Sequence, residues 1–431
     1  MPDAATHSTD ARMEQAIAHH KAGRRDAAES AYRDIIKSQE AHAAAHHNLG
    51  VLLMQSQRGQ DGLVHLERAA RSGKEEYRLS YARGLWMAGR REQAEAALDS
   101  AALLDKFGSM LLAQAKPDDA MHFYRAALAA DPNFAEAHYH LGSLLSETGQ
   151  VAKGFDHFMR RAALVYGTGK RPASDEPDPP YRRKHDQAQR EYLWGTAPDA
   201  PMVPDTFQTA DGARLSGPAV NPANATLALV ERWRAADPQF VVMDDFLTPQ
   251  ALDKLRAYAA GSTVWRKNYA AGYLGAAPED GFAFPLLAQI VEETQALFKP
   301  ILGEEAFRYL GAFKYDSEAC GGTNTHADNS TINVNFYIAP DDANLDPASG
   351  GMRIWNVGPP DLASMRRLNS DEAAVHDFLE KSGAKATVVP HRANRAVIFK
   401  STLFHKTDDF RFKSDYLSRR INISLLFGHF R

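Results

Sequence analysis

Residues 321–340 read GGTNTHADNSTINVNFYIAP. The first half places His326 and Asp328 two positions apart. In an extended segment both side chains leave the same face and can converge on one ion. The second half alternates Asn333 and Asn335 with Val334 and Phe336, the period of a strand. Its asparagines face one way, toward a pocket or toward solvent.

Moving outward, strand-like runs dominate. FRYLGAFKYD (307–316) precedes this stretch. GMRIWNV (351–357), KATVVPH (385–391), RAVIFKS (395–401) and RINISLLFG (420–428) follow it. Upstream, PQFVVMDDFLTPQALDKLRAYA (238–259) reads as a strand, a turn at Thr248-Pro249 and an amphipathic helix. FPLLAQIVEETQALFKPILG (284–303) reads as a second helix. Helices followed by several short strands predict an α+β domain closing on a β-barrel or sandwich.

A third ligand for an ion shared by His326 and Asp328 has to come from elsewhere. His405, in VIFKSTLFHKTDDF (397–410), stands just past an apolar strand. Two histidines and one carboxylate on one side of a metal leave open positions, the pattern of non-haem Fe(II) oxygenases. In a chain with 17 histidines, the H-x-D pair alone equally fits a surface histidine beside an acid.

The order of these segments resembles the prolyl-4-hydroxylase-like branch of the 2-oxoglutarate/Fe(II) oxygenases, over roughly residues 238–428. VVMDDFLTPQALDKL is similar to that family's entry strand and helix, and SGGMRIW (349–355) to the strand that returns after the ligand strand. VVPHRANRAVIFKSTLFH (388–405) is similar to the approach to its distal histidine. The resemblance implies a double-stranded β-helix (jelly-roll) core. It also implies Fe(II) held by His326, Asp328 and His405, with 2-oxoglutarate as co-substrate and O₂ as oxidant. Tyr315, at the family's distance before the H-x-D, would line the co-substrate pocket.

A basic residue should grip the far carboxylate of 2-oxoglutarate, a task suited to the planar fork of arginine. The prolyl hydroxylases place a lysine about ten residues past the distal histidine, but position 415 here is Asp. Arg419 and Arg420 follow. Many relatives use an Arg that opens this strand, with a polar residue two positions on, which selects Arg420 with Asn422. Arg420, Asn422 and Ser424 share one face of the strand. Arg419 is the alternative, and both arginines as surface charges a third reading. Lys400 and Lys406 suit the role less. His391 is expected to be solvent-exposed and Trp355 to be core. The segment 358–384, with a helix at SDEAAVHDFLEK (370–381), reads as a lid offering Arg366 and Arg367 or as plain decoration.

The front of the chain is Ala-rich and repeats itself. A small residue followed four positions later by a large one recurs at Ala28/Tyr32, Gly62/Leu66, Ala94/Leu98, Ala120/Tyr124 and Gly154/Phe158. The steps between the small residues are 34, 32, 26 and 34, so the third repeat should lack part of a helix. Leu49-Gly50 recurs 92 positions later as Leu141-Gly142, and turns fall at Gly23, Gly89, Pro117 and Gly149. A small residue lets a partner helix approach, and the large one fills the space beside it. Such hairpins must stack to bury their apolar faces. These residues, with the turn Asp131-Pro132-Asn133, resemble tetratricopeptide repeats; a plain helical bundle is the alternative. The resemblance implies a concave surface for protein or peptide.

The domain expectation is therefore repeats over 12–165, a linker or docking arm over 166–224, and an oxygenase domain over 225–431. The arm includes KRPASDEPDPPYRRKHD (170–186), too polar to fold alone, with Tyr192, Trp194 and Phe207 as docking points. Composition narrows the partners. A net charge of −4 calls for neither nucleic acid nor an anionic membrane, and no apolar run approaches a membrane span. Cys320 is the only cysteine, which removes a disulfide framework and a cysteine-rich zinc site. With no basic-then-apolar leader, a cytoplasmic protein is expected. The leading functional expectation is hydroxylation of a protein or peptide side chain recruited by the repeats. Two alternatives stand beside it: an oxygenase of small metabolites whose repeats serve assembly, and a non-catalytic scaffold with a relic metal site.

Overall fold

A computed structural model describes residues 4–167, 177–195, 210–318 and 321–429. Cys320 and Phe207 lie outside the described residues. The chain divides into two compact units, Met1–Ala137 and His138–Arg431.

The first unit is a run of antiparallel helical hairpins. Its helices are α1 (Ala4–Lys21), α2 (Arg25–Ser38), α3 (Ala43–Gln55), α4 (Gly59–Ala70), α5 (Glu75–Met87), α6 (Arg91–Ala96), α7 (Ala101–Leu112) and α8 (Pro117–Ala130). The small/large pairs within it, Ala28/Tyr32, Gly62/Leu66, Ala94/Leu98 and Ala120/Tyr124, are buried. Gly50 and Gly62 show why the small residues are there. A Cβ added to Gly50 would come within 2.7 Å of Leu66, and one added to Gly62 within 2.9 Å of the Gly50 carbonyl. Helix α6 is only six residues long, the shortened element that the 26-residue step predicted.

The second unit begins within α9 (Ala135–Glu147) and continues through α10 (Val151–Tyr166). Here the 92-residue period recurs: a Cβ at Gly142 would meet the Gly154 carbonyl at 3.0 Å. Val151, Phe155 and Phe158 of α10 nevertheless belong to the main core of this unit, with the Phe155 ring 6.1 Å from that of Phe307. The compact division thus falls after Ala137 rather than at 165, because α10 turns its apolar face to the β-rich part.

The expected arm contains a helix, α11 (Pro180–Trp194). It docks through polar residues and through Tyr192, whose partly exposed ring lies 5.6 Å from that of Tyr416. Gln189 donates to the carbonyls of Ala260 and Ser262, Tyr181 Oη donates to the carbonyl of Tyr269, and Arg182 Nε donates to Asn268 Oδ1. These long-range bonds supply what the local sequence lacks.

Three helices follow, α12 (Leu227–Ala235), α13 (Pro249–Gly261) and α14 (Pro285–Leu297), with the short α15 (Lys299–Leu302). Among the described residues, ten strands build two antiparallel sheets. They are β1 (Phe240–Met243), β2 (Lys267–Asn268), β3 (Leu274–Ala276), β4 (Phe307–Tyr315), β5 (Ile332–Tyr337), β6 (Met352–Trp355), β7 (Ala386–Val389), β8 (Ala396–Lys400), β9 (His405–Thr407) and β10 (Arg420–Phe427). The larger sheet has the order β1-β8-β5-β10-β4-β3-β2 and the smaller β7-β6-β9. Every strand read from the sequence is present; β2, β3 and β9 are too short to carry a period. Helices cover one face of the large sheet, packing on Leu310, Val334, Ile398 and Ile423. On the other face Val397 and Phe399 meet Met352, Ile354 and Val389 of the small sheet. This is the two-sheet core that the strand pattern predicted, of the jelly-roll type that the resemblance implied.

The excursion 358–384 forms α16 (Leu362–Asn369) and α17 (Glu372–Lys381), N-capped by Asp361 and Asp371. Met365, Leu368, Val375 and Leu379 make a small core with Ala327 and Phe404. The segment is packed against the strand ends, and Arg366 and Arg367 are exposed.

Candidate metal centre and co-substrate pocket

The register of the large sheet decides what faces the space beside the small sheet. Arg420 pairs with Tyr315, Asn422 with Phe313 and Tyr337, and Ser424 with Gly311 and Asn335. All of these positions lie on the face opposite Ile421, Ile423 and Leu425. Between that face and β9 lies a cavity of ≈ 430 Å³.

His326, Asp328 and His405 come together at this cavity, with one ligand atom of each within 4.8 Å of the others. Backbone pairing puts them there. His326 and His405 exchange both backbone hydrogen bonds as an antiparallel bridge, at 3.0 and 2.8 Å, and the Asp328 N–H donates to the Ser401 carbonyl at 2.9 Å. His405 Nε2 stands 3.4 Å from Asp328 Oδ2, and His326 Nε2 stands 3.9 Å from Oδ1.

The outer nitrogens of both rings are engaged. His326 Nδ1 lies 2.8 Å from the Asn324 carbonyl and His405 Nδ1 lies 2.9 Å from the Leu403 carbonyl. A carbonyl only accepts, so each Nδ1 carries a proton, and each Nε2 is the nitrogen that faces Asp328. Histidines with backbone partners on the far nitrogen are the arrangement of metal-ligating imidazoles. Burial and the neighbouring His405 hold the His326 pKa below its ordinary value, against the pull of Asp328. Burial works to raise the Asp328 pKa. The hydrogen bond and charge of His405, followed by His326 and Asn333, outweigh it and hold the carboxyl at about 2. The set is two imidazole nitrogens and one carboxylate, which suits a divalent transition ion.

Behind these residues stand two asparagines. Asn333 Nδ2 donates to Asp328 Oδ2 at 2.8 Å. Asn369, at the end of α16, accepts from the Ala327 N–H at 3.0 Å and donates to the Ala327 carbonyl at 2.8 Å. The alternation of Asn333 and Asn335 made them visible as pocket candidates. Asn369 had no sequence signal, because its partner lies 42 residues away.

Arg420 is buried in the cavity wall. Its Nε and Nη2 donate to the carbonyls of Gly350 and Gly351 at 2.7 and 2.8 Å, and Nη1 donates to Asn422 Oδ1 at 2.8 Å. The guanidinium lies over Tyr315, 4.7 Å from the ring centroid. Two of its five N–H groups remain beyond these three bonds. Arg419 points to the other face and pairs with Asp316 at 3.4 Å. Lys400 is exposed, whereas Lys406 lines the cavity. Tyr269 and Tyr273 stack at 4.5 Å on the cavity's rim, a pair that lay unnoticed in the loop between two very short strands.

His391 departs from expectation. Instead of facing solvent it is buried, its ring 5.3 Å from Tyr337 and 4.9 Å from Phe412. Burial, aided by the charge of Arg420, pushes its pKa down to about 4. The turn after β7 folds back over the sheet, which local sequence does not reveal. Trp355 is half-buried beside the α16–α17 core, as a core-edge residue.

Fold and site together describe a helical-repeat unit joined to a two-sheet domain with a His–Asp–His cluster at its mouth. Residues 111–154 match the family model described as tetratricopeptide repeat. Among solved structures, MamA is 18% identical, covering 39% of this chain and 98% of its own, at a TM-score of 0.25. YrrB, a TPR protein with an unusual peptide-binding site, is 16% identical over 38% of this chain and 92% of its own, at 0.24. SnoK, a non-heme alpha ketoglutarate dependent carbocyclase from nogalamycin biosynthesis, is 15% identical over 49% and 88%, at 0.37. No curated protein matches the chain. Among the described residues, no helix is long and apolar enough to cross a membrane.

Proposed function

We propose that the chain is an Fe(II)- and 2-oxoglutarate-dependent oxygenase that hydroxylates a protein or peptide side chain. The observation that carries this reading is the orientation of the two histidine rings. Both Nδ1–H groups are spent on backbone carbonyls, so both Nε2 atoms and the Asp328 carboxylate converge on one point. In this reading His326, Asp328 and His405 hold the iron, while Arg420, backed by Asn422 and Tyr315, fixes the far carboxylate of 2-oxoglutarate. When bound, iron and 2-oxoglutarate supply the chemistry by which one O₂ yields succinate, CO₂ and a hydroxylated substrate.

This chain's residues have three tasks. The Ala327 clamp of Asn369 and the His326–His405 bridge fix the ligand spacing. The Arg420 fork, held by two glycine carbonyls, orients a carboxylate without having to reorganise. Tyr269, Tyr273 and Phe313 give the cavity an aromatic wall that limits water. The repeats, whose family commonly presents a concave peptide surface, would recruit the substrate.

The test is succinate formation by purified protein supplied with Fe(II), 2-oxoglutarate and O₂. Activity is expected in the parent chain and none in His326→Ala, Asp328→Ala or His405→Ala, each still folded. His376→Ala is the control, since that ring is exposed on α17. Parent-like succinate formation in any of the three variants would refute the ligand set.

A further inference from the structure

A second cavity, of ≈ 250 Å³, lies on the face of the large sheet away from the His–Asp–His cluster. Lys314 reaches it from β4. Its neighbour Tyr315 faces the metal centre, so the period of the strand turns Lys314 the other way. The side chain is 3% exposed, yet among the described residues its Nζ has neither a hydrogen-bond nor an ion-pair partner. It rests instead over the Tyr416 ring, 3.7 Å from the centroid, with Trp265 at 5.4 Å.

Two arginines border the same space. Arg419 is buried and pairs through Nη2 with Asp316, while its Nε is a buried donor without an acceptor among the described residues. Arg256, from α13, donates through Nε to the Ile338 carbonyl and, among the described residues, forms no ion pair. The remaining wall is apolar: Ala260, Ile338, Ala339 and Leu417. Burying an ammonium without a partner is costly, and native proteins rarely leave such groups unexplained. Desolvation, with the charge of Arg419, pushes the Lys314 pKa well below its ordinary range. An anion arriving here would restore the ammonium and satisfy the Arg419 Nε.

We propose that this cavity is a ligand site for a small aliphatic carboxylate, held by Lys314, Arg419 Nε and Arg256, with its alkyl end along Ile338, Ala339 and Leu417. A carboxylate accepts from several donors at once, and a short chain matches both the volume and the apolar wall. The site is separate from the proposed iron centre and does not depend on that reading.

The experiment is competitive amine labelling of the full chain at neutral pH, with formaldehyde and cyanoborohydride and peptide mapping of each lysine. Lys314 is expected to be modified, and saturating butyrate to slow its modification by about tenfold while exposed Lys381 and Lys400 are unaffected. In Arg256→Gln, Lys314 should still be labelled but butyrate protection should fall. Mapping to the residue separates this site from any binding at the proposed co-substrate pocket. Equal labelling with and without butyrate, or no labelling of Lys314 at all, would overturn the proposal. Protection by inorganic phosphate but not by butyrate would overturn the carboxylate assignment.

Discussion

Ala327, the residue between His326 and Asp328, is held at both its amide groups by one side chain, that of Asn369. Partners one step behind metal ligands commonly govern affinity by ten- to a hundredfold. Asn369→Ala is therefore expected to weaken Fe(II) binding by about that factor, measured by titration under anaerobic conditions. Its helix packs independently through Met365 and Leu368, so the melting temperature should change little. Unchanged iron affinity would show that the backbone bridge alone sets the ligand spacing. Arg420 differs, because it supports structure and faces the cavity at once. Arg420→Lys keeps the charge and loses the fork. The 2-oxoglutarate concentration for half-maximal succinate formation should rise roughly ten- to a hundredfold, while iron affinity stays. An unchanged requirement would move the carboxylate contact elsewhere, with Lys406, which also lines the cavity, the next candidate.

At the scale of elements, helix α3 meets α4 through two histidines, His46 and His65, whose Nδ1 atoms are 2.9 Å apart. His46 Nε2 donates to the Glu40 carbonyl, which leaves His46 Nδ1 to accept from His65. The pair exists only while both rings are neutral. Burial, then the neighbouring His46 and the cations Arg33 and Arg68, push the His65 pKa down to about 4, against the weaker pull of Asp61. An unfolded histidine titrates near 6.5. A depressed folded-state pKa stabilises fully above the unfolded value, and the contribution is lost as pH falls from about 6.5 to about 4. Amide exchange in α3 and α4 should accelerate over that window, and His65→Gln should flatten the response. The same contact recurs 92 residues on, where His138 and His157 also stand 2.9 Å apart.

The whole molecule sets where it can be cut. Truncation after residue 165, as the repeat register suggests, removes Val151, Phe155 and Phe158 from the second unit's main core. Three such buried side chains are worth roughly 1.5–3 kcal/mol each by area. A fragment beginning at 166 should melt markedly lower than one beginning at 138, or aggregate. The fragment 138–431 carries every proposed catalytic group. It should bind Fe(II) and 2-oxoglutarate and form succinate like the full chain, while oxidising a recruited protein substrate poorly. If it oxidises that substrate as well as the full chain, the recruitment role fails and the small-metabolite reading gains. Equal melting of the two fragments would mean that α10 contributes nothing to the core.

Periodicity alone was enough for the repeats, for seven of the strands and for the face shared by Arg420, Asn422 and Ser424. Each depends on spacing along one element, and backbone geometry converts spacing into direction. The shortened α6 was legible for the same reason, as a missing turn in a regular count. Only the tertiary structure decided the rest. His391 is buried because a turn folds back on the sheet, α11 is held by acceptors more than 70 residues away, and Asn369 and Lys314 owe their surroundings to distant segments. Neither the ring orientations of His326 and His405 nor the boundary at residue 137 follows from spacing. Both depend on which carbonyl or apolar face the fold brings alongside, and long-range pairing leaves no local period to read.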